Sequence, residues 1–153
     1  MHSAAPRFDQ VLVWFRRDLR FMDHAALYHA LKWARRVWCV FVFDTDILDR
    51  LPSKNDRRVE FIWHSLKDLD AVLREHGGGL MVGHGSALSA IPELAARLGI
   101  EAVFANRDYE PDALRRDAAV AEALGRQAIR FETFKDQVIF ERDEIMTAAG
   151  GAY

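Results

Sequence analysis

A chain of 153 residues, half of them apolar, is long enough for one packed domain, and a formal charge of −2 lacks the Lys/Arg excess of a nucleic-acid binder. A single cysteine excludes a disulfide framework and fits a reducing cytoplasm. No apolar run approaches the roughly 18 residues that cross a bilayer, and the first residues have neither the basic start nor the apolar stretch of an export signal, so a cytoplasmic protein without membrane contact is expected.

Residues 1–10 hold Pro6 and no periodicity, and read as a flexible leader. Val11–Phe15 is the first apolar run, and it leads directly into the charged string Arg16-Arg17-Asp18-Leu19-Arg20. Ala25–Ala34 shows apolar positions three and four apart, the spacing of a helix with one buried face. Val37–Phe43 reads as a strand, and Cys39 within it as a small buried thiol. Arg57–His76 reads as a long helix closed by Gly77-Gly78-Gly79, followed by a short strand over Leu80–Val82. Gly83-His84-Gly85-Ser86 reads as a glycine-requiring turn, with Ser86 or Ser89 capping a helix over Ala87–Leu98 that ends at Gly99. Ala102–Ala105 is the next strand, Asp112–Leu124 the next helix, with Pro111 in its first turn and Gly125 at its end, and Ala128–Phe131 the last strand.

Strands alternating with helices at this spacing imply an α/β fold, a doubly wound, Rossmann-like parallel sheet of about five strands with helices on both faces. The domain is expected to occupy residues 11–140, and the small-residue ending Ala148-Ala149-Gly150-Gly151-Ala152-Tyr153 makes 141–153 the start of an interdomain linker. In such a sheet, ligands bind beyond the carboxyl ends of the strands. Charges and aromatics gather there: Arg16, Arg17 and Asp18 after the first strand, Phe41, Phe43 and Asp44 at the second, Asp108 and Glu110 after the fourth, with Arg58 opening the long helix. A flavin-like ring needs apolar walls and a few fixed donors and acceptors, which Phe41 and Phe43, and Arg17, Arg58, Asp108 and Glu110, can supply. The competing reading is that Arg17, Asp18, Arg58 and Asp108 bond to one another and lock the loops, with Phe41 packed in the core.

The six histidines show no zinc-ligand spacing, so no metal is expected, and no nucleophile stands beside a base. Trp14, Trp33, Trp38 and Trp63 sit on strands or apolar helix faces and are read as packing residues.

The string Phe15-Arg16-Arg17-Asp18-Leu19-Arg20 resembles the opening of the DNA photolyase/cryptochrome family, and four further segments resemble it in the same order. They are Asp44-Thr45-Asp46-Ile47-Leu48, Arg58-Val59-Glu60-Phe61, Asn106-Arg107-Asp108-Tyr109-Glu110-Pro111, and Phe134-Lys135-Asp136-Gln137-Val138 leading to Gly150, Gly151 and Tyr153. The resemblance implies the amino-terminal, antenna-binding domain of an enzyme such as a bacterial deoxyribodipyrimidine photolyase. In that family a light-harvesting chromophore feeds reduced FAD, which splits cyclobutane pyrimidine dimers flipped out of DNA. FAD, the damaged-DNA pocket and catalysis belong to a carboxyl-terminal helical domain, which would be this chain's partner; damaged DNA would be met only through the full-length enzyme, and the chain alone is expected to carry no catalytic residue.

Carried over residue by residue, the resemblance makes Arg17, Phe41, Phe43, Arg58, Asp108 and Glu110 the candidate contacts of a deazaflavin or flavin antenna. The folate-type antenna, methenyltetrahydrofolate, relies on an Asn-Glu pair after the Tyr-Glu dipeptide. Asp112 and Ala113 stand there, without the second carboxylate, which favours the flavin class. His24 stands where the family usually has Asn and is expected to open a helix. A cryptochrome-type photoreceptor is the sibling reading. A free-standing nucleotide-binding module of universal-stress-protein type, and an interaction domain without ligand, are the other classes; the former should show a late glycine-rich phosphate loop, whereas Gly150 and Gly151 fall in the tail.

Overall fold

A computed structural model describes residues 4–51 and 56–135. Five strands, β1 (Phe8–Phe15), β2 (Ala34–Asp44), β3 (Met81–Gly85), β4 (Ala102–Asn106) and β5 (Arg130–Phe134), form one parallel sheet in the order β3-β2-β1-β4-β5. Between them run α1 (Ala25–Trp33), the one-turn α2 (Thr45–Leu48), α3 (Arg57–Glu75), α4 (Ala87–Leu98) and α5 (Pro111–Gly125). The expected α/β, doubly wound sheet is therefore the observed one.

The two faces of β1 explain the layering. Leu12 and Trp14 pack with Ile91, Ala95, Val120 and Leu124 of α4 and α5, while Val11, Val13 and Phe15 pack with Ala26, Leu27 and Ala30 of α1 and Leu69 and Leu73 of α3. A central parallel strand covered on both faces reads as a continuous apolar run, as this one does. Phe104 of β4, fully buried, meets Phe8 edge-on at 5.7 Å and Phe134 at 5.0 Å, tying three strands across one face. Burial also pushes the Cys39 thiol up to about 12, so it behaves as a small apolar filler.

Several boundaries differ from the sequence reading. The leader reading fails for Phe8, Asp9 and Gln10, which belong to β1: Phe8 is buried and pairs with Ala34. Gln10 is tolerated inside a strand because its amide donates to the Leu98 carbonyl at 3.0 Å and accepts from Trp38 Nε1 at 2.9 Å. Gly83-His84-Gly85 is strand, not turn, pairing with Val42, Phe43 and Asp44 of β2. At a sheet edge, glycines and a histidine cost little. The last strand starts two residues later than expected because Ala128 takes φ 57°, closing a turn after α5. Gly125 is the final helical residue, with Arg126 capping after it. Ser86 occupies the N-cap of α4, but its hydroxyl donates to Asp46 Oδ2 at 2.6 Å instead of capping. The expected linker and the Asp136-Gln137-Val138, Gly150, Gly151 and Tyr153 elements of the resemblance lie outside the described residues.

Candidate functional site at the carboxyl edge of the sheet

The strand order reverses direction between β1 and β4, which makes the gap between their carboxyl ends the topological switch point. Side chains of the protein fill it. Arg16 turns back inward and donates to the Asn106 carbonyl and to the Asp117 carboxylate of α5, with its guanidinium over the Trp14 ring at 4.9 Å. The Asn106 amide donates to Asp18, and its oxygen accepts the Ala26 N–H at 2.9 Å, one of the orphan donors in the first turn of α1. His24 caps the same helix, Nδ1 accepting the Leu27 N–H at 3.1 Å, so the ring proton sits on Nε2. That nitrogen lies 3.2 Å from Asp18 Oδ2, off the line of an ideal hydrogen bond.

Asp18, His24, Asn106 and Asp117 are all buried. Burial drives the Asp18 carboxyl up, but His24 and the Asn106 amide overcome it and hold the group below the usual carboxylate range. This network joins β1, β4, α1 and α5. Sequence reasoning named Asp18 as a loop lock but not Asn106, whose signal was a lone carboxamide ending an apolar strand.

The residues singled out as site candidates fall into three places. Arg17 points out, 56% exposed, donates to Glu110 Oε1 at 2.7 Å and lies 3.9 Å from Asp108. The Glu110 hydrogen bond, outweighing burial, raises the Arg17 pKa. Asp108 is buried, and its carboxylate accepts the Glu110 N–H at 3.1 Å, fixing the turn that delivers Pro111 to the start of α5. Phe41 and Phe43, alternate residues of β2, lie side by side in an edge-to-face contact at 5.0 Å, Phe41 buried and Phe43 half-buried. Arg58 is apart from both groups. Its guanidinium grips Asp56, the N-cap of α3, through 3.0 Å and 2.7 Å hydrogen bonds, which lower the Asp56 carboxyl to about 2. The structure thus gathers Arg17, Asp108 and Glu110 in one cluster and Phe41 with Phe43 in another, and holds Arg58 on its own helix.

Asp112 bonds to Arg115 and lies 3.9 Å from Arg50, while Ala113 is buried. Among the described residues no group of three or more His, Cys, Asp or Glu side chains is placed to hold a metal, and no helix is long and apolar enough to cross a membrane.

A doubly wound parallel domain whose strand ends are cross-linked by charge-assisted bonds is a ligand-carrying scaffold in several families, and the fold alone does not choose among them. The choice comes from comparison: the DNA photolyase family model matches residues 11–153. The chain belongs to the DNA photolyase family. It is 34% identical to the deoxyribodipyrimidine photo-lyase of a Synechococcus species over 98% of this chain and 30% of the relative. It is 34% identical to the Cryptochrome DASH of Natronomonas pharaonis over 91% of this chain and 30% of that protein. Among solved structures, an archaeal photolyase from Sulfolobus tokodaii with two FAD molecules superposes with a TM-score of 0.82 at 30% identity, covering 90% of this chain and 32% of the other. A class III photolyase from Agrobacterium tumefaciens superposes with a TM-score of 0.83 at 27% identity, over 98% and 30% of the two chains. The chain therefore spans about 30% of the length of the curated relatives it matches. Family membership sets aside the free-standing nucleotide-binding module.

Proposed function

We propose that this chain is the antenna-binding part of a deoxyribodipyrimidine photolyase, holding a flavin or deazaflavin at the carboxyl edge of its sheet for light-driven repair of pyrimidine dimers. The bound chromophore would absorb light and pass the energy to FAD in a separate helical domain. The observation that carries the reading is that two neighbouring strands end in complementary groups, β2 in the aromatic pair Phe41 and Phe43, the latter half-open, and β1 in the outward-facing Arg17 that bonds Glu110. Phe43 offers the flat face, Phe41 backs it, and the Arg17–Glu110 pair offers a donor and an acceptor that solvent can reach. Asp108 positions Glu110 through the turn, and Arg58 serves the site by fixing the start of α3. Ala113 and the engaged Asp112 favour the flavin class over methenyltetrahydrofolate. A photolyase relative with two FAD molecules is consistent with a flavin beside the catalytic one.

The partner in this reading is the FAD-binding helical domain, and damaged DNA is met only through the full-length enzyme. Met22, Tyr28 and Leu31 are exposed, and Lys32 is the sole formally charged side chain of α1, a composition more usual for a covered helix than for a solvent face. Titration of the purified chain with FMN and with a 5-deazaflavin, read by visible absorbance, tests the assignment. Saturable binding of one of them, weakened by Glu110→Ala, supports it, and failure of both chromophores to bind would refute it. The chain alone is expected to leave dimers unrepaired under light, measured as dimer loss in irradiated DNA; repair by it would contradict the division of labour. The equal identity to a Cryptochrome DASH keeps a photoreceptor as the second reading, decided by a repair assay on the full-length protein.

A further inference from the structure

Strand β2 is longer than the strand on its outer side. Its 11 residues pair with β1 from Ala34 to Phe41, whereas β3 covers only Val40–Asp44. Residues 34–39 therefore have a strand on one side alone. Alternate residues of this stretch turn their N–H and C=O away from β1, toward a side where no strand meets them. Among the described residues, no turn, cap or side-chain hydrogen bond reaches the backbone of residues 35–39.

The missing strand leaves a groove of about 400 Å³, lined by β2 from Arg36 to Cys39, by the Gly78-Gly79 turn after α3, and by Leu80 and Met81 at the entry to β3. The glycines put no side chain into it. The β3 end of the groove is held in place, since Asp70 Oδ1 accepts the Leu80 N–H at 2.8 Å and its Oδ2 accepts from Arg74 Nε at 2.8 Å. An extended chain advances about 3.3 Å per residue, so the bare edge has room for about five residues.

Side chains along this edge are graded. Val37 and Cys39 belong to the α1–α3 layer, Trp38 and Met81 to the α4–α5 layer, so the end next to β3 is apolar on both faces. The other end carries Arg35 and Arg36 on opposite faces, both exposed and neither in an ion pair among the described residues. Arg74 also lines the groove, and no acidic side chain among the described residues does. The far edge of the sheet is different: on β5, Arg130 and Glu132 lie 3.8 Å apart and answer each other. Like charges on a free edge repel a second copy of the same edge, and the same arginines attract an acidic chain.

We propose that the amino-terminal half of β2 is a docking edge for another protein: an extended segment of a few apolar residues flanked by Asp or Glu joins the sheet below β3 through main-chain hydrogen bonds, with its acids on Arg35 and Arg36. A bare phosphate would use the arginines and leave the backbone edge and apolar end idle; an extended acidic segment uses all three. This edge lies away from the carboxyl ends of the strands, and the inference does not depend on the chromophore reading.

The test titrates the whole chain into fluorescein-labelled Glu-Glu-Val-Thr-Val-Thr-Glu-Glu, read by anisotropy, with hydrogen–deuterium exchange to locate the contact. Saturable binding is expected, with slowed exchange at amides within residues 35–39. Arg36→Glu, and independently Arg35→Glu, should weaken binding by about tenfold or more and leave the melting temperature unchanged, because both side chains are exposed. The same peptide with Lys in place of Glu should not bind. Methylating the amides of the first and third residues of the Val-Thr block, or of the second and fourth, strips donors from one edge of the peptide or the other. One methylated version should bind and the other should not, since only one edge pairs. Absence of binding by the wild type, equal binding of the Lys peptide, equal behaviour of the two methylated versions, or protection confined to another surface overturns the proposal. Displacement by oligothymidylate without any effect of methylation would make the groove an anion site, and self-association of the chain that the peptide disperses would make it an interface between copies; either result also overturns it.

Discussion

The junction of β1 with β4 and the end of β2 lie at the same edge of one sheet, yet they are built in opposite ways. At the junction, Arg16, Asp18, His24, Asn106 and Asp117 are inward-facing and bonded to one another or to backbone. At the end of β2, Phe43 is half-buried and the indole of Trp63 beside it stands half in solvent. The lesson is that concentrated charge at a strand end does not by itself mark a ligand site. Where charges are buried they must satisfy each other, and the resulting lattice is a brace. In the proposed function, the binding surface is where aromatic area is left open beside a brace that keeps the loops still.

The sharpest way to break this contrast is to damage the brace. Asn106→Ala removes the donor to Asp18 and strands the Ala26 N–H; loss of a partner from a buried charged contact costs about 3–5 kcal/mol, so urea denaturation should show a loss in that range. A loss below about 1 kcal/mol, the value of an exposed pair, would mean that the network is not structural. The next effect is acid sensitivity. Because the Asp18 pKa is lowered on folding, its contribution is present above the unfolded carboxylate value of about 4 and is lost as pH falls through the lower folded value. Melting temperatures measured between pH 5 and 2 should fall less steeply in Asp18→Asn than in the wild type, on top of a lower plateau.

Smaller still is the effect expected at the outward pair. Arg17 and Glu110 are both more than half exposed, and screening leaves such pairs about 0–1 kcal/mol, so Glu110→Ala should hardly move the melting temperature while weakening chromophore binding. Stability and binding thus separate between Asn106 and Glu110, and both falling together at Glu110 would erase the distinction. Least of all should Cys39 respond: at pH 8 a thiol held near 12 is almost wholly protonated, so an aromatic disulfide reagent should label it only after denaturation.

Much of the fold was legible because burial on both faces writes itself into the sequence as apolar runs, as in Val11–Phe15 and Ala102–Ala105. The parts that were not legible depend on partners distant in the chain. Gln10 enters a strand only because Leu98 and Trp38 satisfy its amide, and Gly83-His84-Gly85 is strand only because β2 pairs with it from one side. The short α2 needs Asp44, whose carboxylate accepts the Asp46 N–H at 3.0 Å, and gave no periodicity to detect. The site was legible as an edge but not in its sorting. Arg16 and Arg17 are chemically identical neighbours, yet one is buried in the brace and the other faces solvent, and Trp63, expected to pack, stands half in solvent.

A crystal structure of the chain saturated with FMN tests the central claim most directly. The account predicts ring density against Phe43 at the end of β2, with the Arg16–Asn106–Asp18 network undisturbed. Ring density inserted at the β1–β4 junction, or bound on a surface remote from β2, would contradict it.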